Sequence, residues 1–401
     1  MLKALAVARF RHYVMANFFA INGMWIQRVV MGWLAWELTY SALFTGLIGA
    51  LLFAPTILFS PLFGVVADRA DIRRMFLRVQ ACQVAMSLLM IGVVISGLLS
   101  QWSLVLIAVL IGVIQSAHHP CRLALAPRLV PRALLPKAVA TVSLNFNVAR
   151  MIGPAAGGLV ISEFGITTAL SVTMASYVPV LMVVFLMSLD TTPNSTTTKA
   201  GMTEAVIEGG RYVMSRPLIL YAMMFSMVIS LCGRSLFEIL PVIADGIYEK
   251  GASGLGQLTS AAGFGAVASS VFLGIIKDSA RTLPSSISMT SLLAGGCIAL
   301  VGLDINWYLM LALIAVVSAL ATLTAIGGQT LCQMEVLDEY RARVMSLWAV
   351  IGFSGTAMGA IILGWLVELV GMETAMIAAG SAAMLLSVII RRKNPAPESG
   401  T

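Results

Sequence analysis

Apolar residues in this chain come in long unbroken blocks separated by short polar stretches. Blocks of about 20 residues are the length that crosses a bilayer as a helix. They show no strict apolar–polar alternation, so the strands of a closed barrel are not predicted. The blocks predict helical spans near 13–36, 44–66, 76–98, 104–126, 138–162, 167–188, 218–241, 254–275, 284–303, 306–331, 344–367 and 374–390. Twelve is an even number, so both termini are expected on one side. The first block is too long and lacks the small-residue cleavage site of a removable signal.

Composition makes the membrane reading firm. The chain has 401 residues, of which 59% are hydrophobic and 11% charged, and its mean hydropathy is +0.95. A soluble domain carries about 25% charged residues. Too few polar side chains exist to cover a water-facing surface, so lipid is expected to solvate much of the outside. Five cysteines (Cys82, Cys121, Cys232, Cys297 and Cys332) are scattered singly without ligand spacing. They read as small apolar packing residues rather than metal ligands or disulfides.

A net charge of +7 raises the question of nucleic acid, and the placement of the charge answers it. Every second connection is basic: Lys3, Arg9 and Arg11; Arg69, Arg73, Arg74 and Arg78; Arg122, Arg128, Arg132 and Lys137; Lys199, Arg211 and Arg216; Lys277 and Arg281; Arg341 and Arg343; Arg391, Arg392 and Lys393. The alternate connections hold only Lys250. By the positive-inside rule both termini are expected in the cytoplasm, and no nucleic-acid partner is needed. The expected location is a bacterial inner membrane, crossed many times.

The longest connection opens with the polar run Thr191-Thr192-Pro193-Asn194-Ser195-Thr196-Thr197-Thr198 and continues into a surface helix near 202–215. It reads as a linker. The expected organisation is an N-terminal six-helix bundle over 1–190, a linker over 191–217 and a C-terminal six-helix bundle with a short tail over 218–401. The halves echo each other. Gly153, Gly158, Gly165, Thr168 and Ala169 recur as Gly359, Gly364, Gly371, Thr374 and Ala375, 206 positions on. Gly64 and Asp68 recur as Gly274 and Asp278, 210 positions on. Parallel six-helix repeats with a substrate site between them are one known transporter architecture.

After the second span stands Gly64-Val65-Val66-Ala67-Asp68-Arg69-Ala70-Asp71-Ile72-Arg73-Arg74. This resembles the signature loop of the major facilitator superfamily, matching at Gly64, Asp68, Arg69, Arg73 and Arg74 and departing at Asp71 and Ile72. These five residues are candidates for a conformational latch; the alternative is that the arginines only set topology. Gly64 admits a neighbouring helix, and an acid in a basic loop opposes the topology signal. The fifth span contains Asn147, Arg150, Gly153-Pro154-Ala155-Ala156-Gly157-Gly158. Gly153, Pro154, Gly157 and Gly158 resemble the fifth-helix motif of the superfamily's antiporters, without its preceding glycines. With Trp25 and Trp33, Pro120-x-Arg122 and Arg341-Ala342-Arg343, the ensemble is similar to the bacterial branch that includes enterobactin exporters and macrolide efflux proteins. The resemblance implies the major facilitator fold, all-α with two pseudo-symmetric bundles. It also implies a monomer exporting an amphipathic small molecule in exchange for protons, with no cofactor.

Charged residues within spans are costly and are expected to face the protein interior. These are Arg28, with Gln27 and Asn22 as a polar strip beside it, Arg150, on one helical face with Asn147, and Arg234 and Glu238. They line a substrate or proton path or simply tie helices together. Arg234 and Glu238 stand four apart, the spacing of an ion pair on an α-helix. Glu238 is one candidate coupling carboxylate. His118 and His119 are candidate proton relays or simple polar contacts. The chain has no Gly-x4-Gly-Lys-Ser/Thr loop, so ATP is not expected to drive transport. Import, uncoupled facilitation or lipid translocation by the same fold, and more remotely a membrane enzyme, stay open as alternatives.

Overall fold

The computed structural model describes residues 2–69, 71–187, 202–275, 282–337 and 339–392. Helices α1 to α6 span Leu2–Leu5, Ala8–Thr39, Ala42–Arg69, Ile72–Ile95, Gln101–Leu125 and Leu135–Leu186. Helices α7 to α12 span Met202–Ser215, Pro217–Val228, Gly251–Ile275, Leu283–Val301, Trp307–Glu335 and Arg341–Arg392. No strand occurs among the described residues. Short helical turns join α5 to α6, and two π-helical segments extend α8.

Helices α6 and α12 run to 52 residues each, twice what a bilayer needs. Each is two helices joined at a glycine in left-handed backbone. Gly165 has φ 81° and ψ 170°, and Gly371 has φ 80° and ψ 164°. A side chain at positive φ is strained, so glycine is the residue that permits the break. With these two breaks the long helices are consistent with twelve crossings. The sequence repeat is thus visible as the same break in each half.

The chain forms two compact units. The first takes Met1–Tyr40, Leu51–Thr197 and Pro241–Ser260; the second takes Ser41–Ala50, Thr198–Leu240 and Ala261–Thr401. Each unit therefore includes a short segment from the far side of the linker.

Small residues let the helices of each unit approach closely, as is usual where lipid supplies no hydrophobic drive. In the first unit Gly23 lies on Ser176, Gly153 on Trp25 and Gly157 on Ile26. A Cβ on Gly158 would lie 2.1 Å from the Cα of Gly256. In the second unit a Cβ on Gly359 would lie 2.0 Å from the Leu231 carbonyl oxygen, and one on Gly364 2.5 Å from that of Ala42. Phe10, Tyr13, Phe76, Cys121, Leu125 and Tyr177 fill the core of the first unit; Ile229, Ala294 and Ala321 form a smaller cluster in the second.

Helix α4 shows how the loop before it is held. Asp71, where the sequence departs from the superfamily loop, is its N-cap, accepting hydrogen bonds from the backbone N–H groups of Arg73 at 3.0 Å and Arg74 at 3.2 Å. It also pairs with the Arg74 side chain at 3.3 Å. Arg73 donates through Nε to the Val184 carbonyl at 3.0 Å and through Nη2 to that of Phe185, tying the start of α4 to the end of α6. Replacing a capping acid with alanine costs about 1 kcal/mol. Asp71→Ala is therefore expected to lower the thermal unfolding midpoint in detergent by a few degrees, and Asp71→Ser to restore most of it.

Candidate functional site

The first unit gathers cations and aromatic rings inside apolar helices. Arg28 on α2 stacks over the Phe53 ring of α3, 3.9 Å from its centre. Arg150 on α6 lies over Trp25 of α2 at 5.8 Å. Trp25 packs at 6.0 Å against Phe146, and Phe146 carries Arg122 of α5 at 4.6 Å. Two guanidiniums are thus separated by an aromatic pair. A ring face attracts a cation, by about 2 kcal/mol or more when both are dry. This attraction offsets part of the cost of placing three arginines at membrane depth.

Arg122, at the end of the span expected over 104–126, counts in the sequence with the basic residues of the connection that follows. It is instead 6% exposed inside α5. Pro120 sits within the helix, and α5 continues past it to Leu125, carrying Arg122 inward.

Gln27 is 3% exposed. Its Oε1 accepts from the Tyr177 hydroxyl at 3.3 Å, and its Nε2 reaches the Met90 sulfur at 3.8 Å. Beside it a slot too narrow for a water is lined by Gln27, Gln83, Met86, Ile111, Ile114 and Gln115. Asn17, Gln80 and Gln83 are also buried, and none of their amide atoms has a hydrogen-bond partner among the described residues. Each such atom costs about 1–3 kcal/mol. These buried amides were missed in the sequence. Their signal was there: Gln80, Gln83 and Ser87 recur at helical spacing in an otherwise apolar run.

The second unit holds Arg234 and Glu238, but not on a regular α-helix. Ile229–Arg234 is a π-helical segment, Ser235–Glu238 a single 3₁₀ turn, and Val242–Ile247 a second π-helical segment. The four-residue step between them therefore runs through a 3₁₀ turn rather than an α-helical one. The Glu238 side chain faces α3: a Cβ on Gly49 would lie 2.7 Å from its Oε2. Arg234 faces α12, with Nη1 3.9 Å from the place of a Cβ on Gly352. Nearby, Glu368 of α12 accepts from the Ser41 hydroxyl and from the Leu43 N–H at 3.1 Å, capping the start of α3.

The remaining sequence candidates divide between placed and undescribed. Gly153, Pro154, Gly157 and Gly158 are buried where α6 meets α2 and α9. Asn147 lies in α6 one turn before Arg150, and Gly64, Asp68 and Arg69 end α3; the side chains of these four lie outside the described residues. His118 is 5% exposed, with its ring 6.0 Å from that of Phe76.

Solved structures define the class by fold. The chain superposes on the nucleoside transporter NupG, in a mutant form, with TM-score 0.73 at 13% identity, covering 96% of this chain and 100% of that one. It superposes on a bacterial homologue of the human lysosomal transporter Spinster with TM-score 0.71 at 14% identity, covering 96% and 97%. The fold is that of the major facilitator superfamily transporters. Within it the chain belongs to the transmembrane secretion effector family, whose profile matches residues 2–400. Among curated relatives it is 24% identical over 386 residues to the enterobactin exporter EntS of Shigella boydii serotype 4 (strain Sb227), covering 95% of this chain and 90% of that protein. It is 25% identical over 332 residues to EntS of Escherichia coli (strain SE11), covering 82% and 77%. The protein is a multi-pass membrane transporter and not an enzyme.

Proposed function

We propose that this transporter exports an amphipathic small molecule, of the drug or siderophore kind, in exchange for protons. The observation that carries the reading is the arginine and aromatic lattice of the first unit, Arg28 on Phe53 and Arg150 on Trp25. Rings and guanidiniums together suit a ligand that is flat, apolar and partly anionic. Full-length similarity to proteins named as enterobactin exporters supports the direction.

Gln27, Arg28, Asn147 and Arg150 would contact substrate, and Arg234 and Glu238 would carry the proton step. Support for the second role comes from the backbone. π-helical segments interrupt helices often at functional sites, and two of them flank Glu238. Gly64, Asp68, Arg69, Arg73 and Arg74 would latch one conformation, and Gly153, Pro154, Gly157 and Gly158 would pack the fifth span. The working halves would be 1–190 and 218–401 of a monomer, joined by the linker 191–217. Both termini would lie in the cytoplasm of the bacterial cell, and the proton gradient would supply the energy.

The test is accumulation of a panel of amphipathic dyes, antibiotics and catecholate siderophores in cells lacking their own exporters. Wild type should lower accumulation of at least one compound, and a protonophore should abolish the effect. Glu238→Gln should still bind that compound yet fail to lower its level. Transport against a gradient by Glu238→Gln would remove Glu238 from the proton step. Export insensitive to the protonophore would remove proton coupling altogether.

A further inference from the structure

Among its described side chains, helix α7 packs on the rest of the second unit by one face. Glu208 pairs with Arg343 of α12 at 2.9 Å and accepts from the Tyr340 hydroxyl at 3.4 Å. Tyr212 stacks on Tyr340 with ring centres 4.2 Å apart and planes 7° from parallel, and its hydroxyl accepts from the Leu337 N–H at 3.2 Å. Gly209 and Val213 complete this buried face. A second, smaller apolar strip points away from it. Ile207 is 63% exposed and Met214 76%, and two helical turns bring them onto one line. Exposed Arg211 lies beside that line, and exposed Ser215 lies about 100° round the helix from Met214.

Chain continuity fixes where this strip lies. Only Arg216 separates α7 from α8, which starts at Pro217 and is long and apolar enough, with its extension to Glu238, to cross a membrane. The C-terminal end of α7 is therefore at the bilayer surface. An apolar strip flanked by arginine at that depth has the pattern of a helix lying in the interface. Two exposed large apolar side chains facing water would gain nothing; in the headgroup–acyl boundary each is desolvated, and exposed Arg211 stands beside them to meet lipid phosphates, while Arg216 lies over the Tyr212 ring at 5.7 Å.

We propose that α7 is an interfacial anchor whose Ile207–Met214 strip inserts into anionic lipid at the point where the second half of the chain enters the membrane. Because Glu208 and Tyr212 grip Arg343 and Tyr340, the anchor would hold the start of α12 to the lipid surface.

The experiment places an environment-sensitive fluorophore at Met214→Cys or Ser215→Cys in protein whose five native cysteines are replaced. Both are reconstituted in nanodiscs of phosphatidylglycerol or of phosphatidylcholine. In phosphatidylglycerol, a nitroxide shallow in the lipid tail should quench the Met214 label at least about twofold more than the Ser215 label, and aqueous iodide should show the reverse order. The difference should shrink in phosphatidylcholine. Equal iodide quenching at both positions would overturn the proposal by placing the strip in water. Protection of the Met214 label from both quenchers would overturn it by placing the strip against protein.

Discussion

Arg150→Ala is expected to reduce export by at least about tenfold, equivalent to 1.4 kcal/mol or more, while the protein still folds and reaches the membrane. Arg150 lies over Trp25, and Trp25 packs on Phe146, which carries Arg122. Removing one guanidinium leaves the ring pair in place and leaves Arg122 on the far ring. The structural loss is then one cation–π contact, about 0.5–2 kcal/mol. The functional loss is expected to be larger, because Arg150 is the cation that lies over Trp25 among the described contacts. Arg150→Lys keeps the charge but not the planar fork, so it should retain part of the activity. The measurement is transport of the identified compound normalised to membrane protein, alongside thermal unfolding in detergent. Transport that falls only as far as the amount of folded protein falls would make Arg150 a packing residue and remove it from the substrate path.

The second large effect is expected at Gly359. Its missing Cβ would sit 2.0 Å from the Leu231 carbonyl oxygen and 2.8 Å from the Ser235 Cβ. Backbone cannot yield as a flexible side chain can, so Gly359→Val must part α12 from the π-helical segment. Overpacking of this kind costs about 3 kcal/mol. Loss of most folded protein from the membrane fraction is the expected outcome. Gly92 on α4 is the control, because a Cβ there meets nothing within 4 Å. Gly92→Ala should instead gain about 0.5–1 kcal/mol, since glycine inside a helix is entropically costly. Equal stability of the two variants, read by unfolding in one detergent, would show that the close approach at Gly359 is not what holds α12.

Glycine 359 also explains what the internal repeat was for. Gly153, its counterpart 206 positions earlier, packs on Trp25 of α2, as Gly359 packs on Leu231 after α8. Gly158 packs on Gly256 of α9, and its counterpart Gly364 on Ala42 at the start of α3. The repeat was legible as letters at a fixed offset. The partners were not, because a glycine in a sequence shows that something approaches closely and never what does.

The sequence by itself determined the class of molecule and that it crosses a membrane many times. A run of 20 apolar residues has one stable place, a bilayer, and one stable backbone there, a helix, so these follow from local chemistry. It also placed Arg28 and Arg150 within spans, as cations that needed an interior partner. Tertiary structure alone brought Phe53 to Arg28 and Trp25 to Arg150, each from another helix. It decided that Arg122 is buried, that the amides of Asn17, Gln80 and Gln83 are buried, and that Pro241–Ser260 belongs with the first unit. It decided too that the chain around Arg234 and Glu238 leaves the α-helix. The physical reason is common to all five. Membrane insertion is settled by each segment's own transfer energy, whereas cation stacking, amide burial and π-helical backbone depend on which surfaces meet, and that is fixed only when the helices pack.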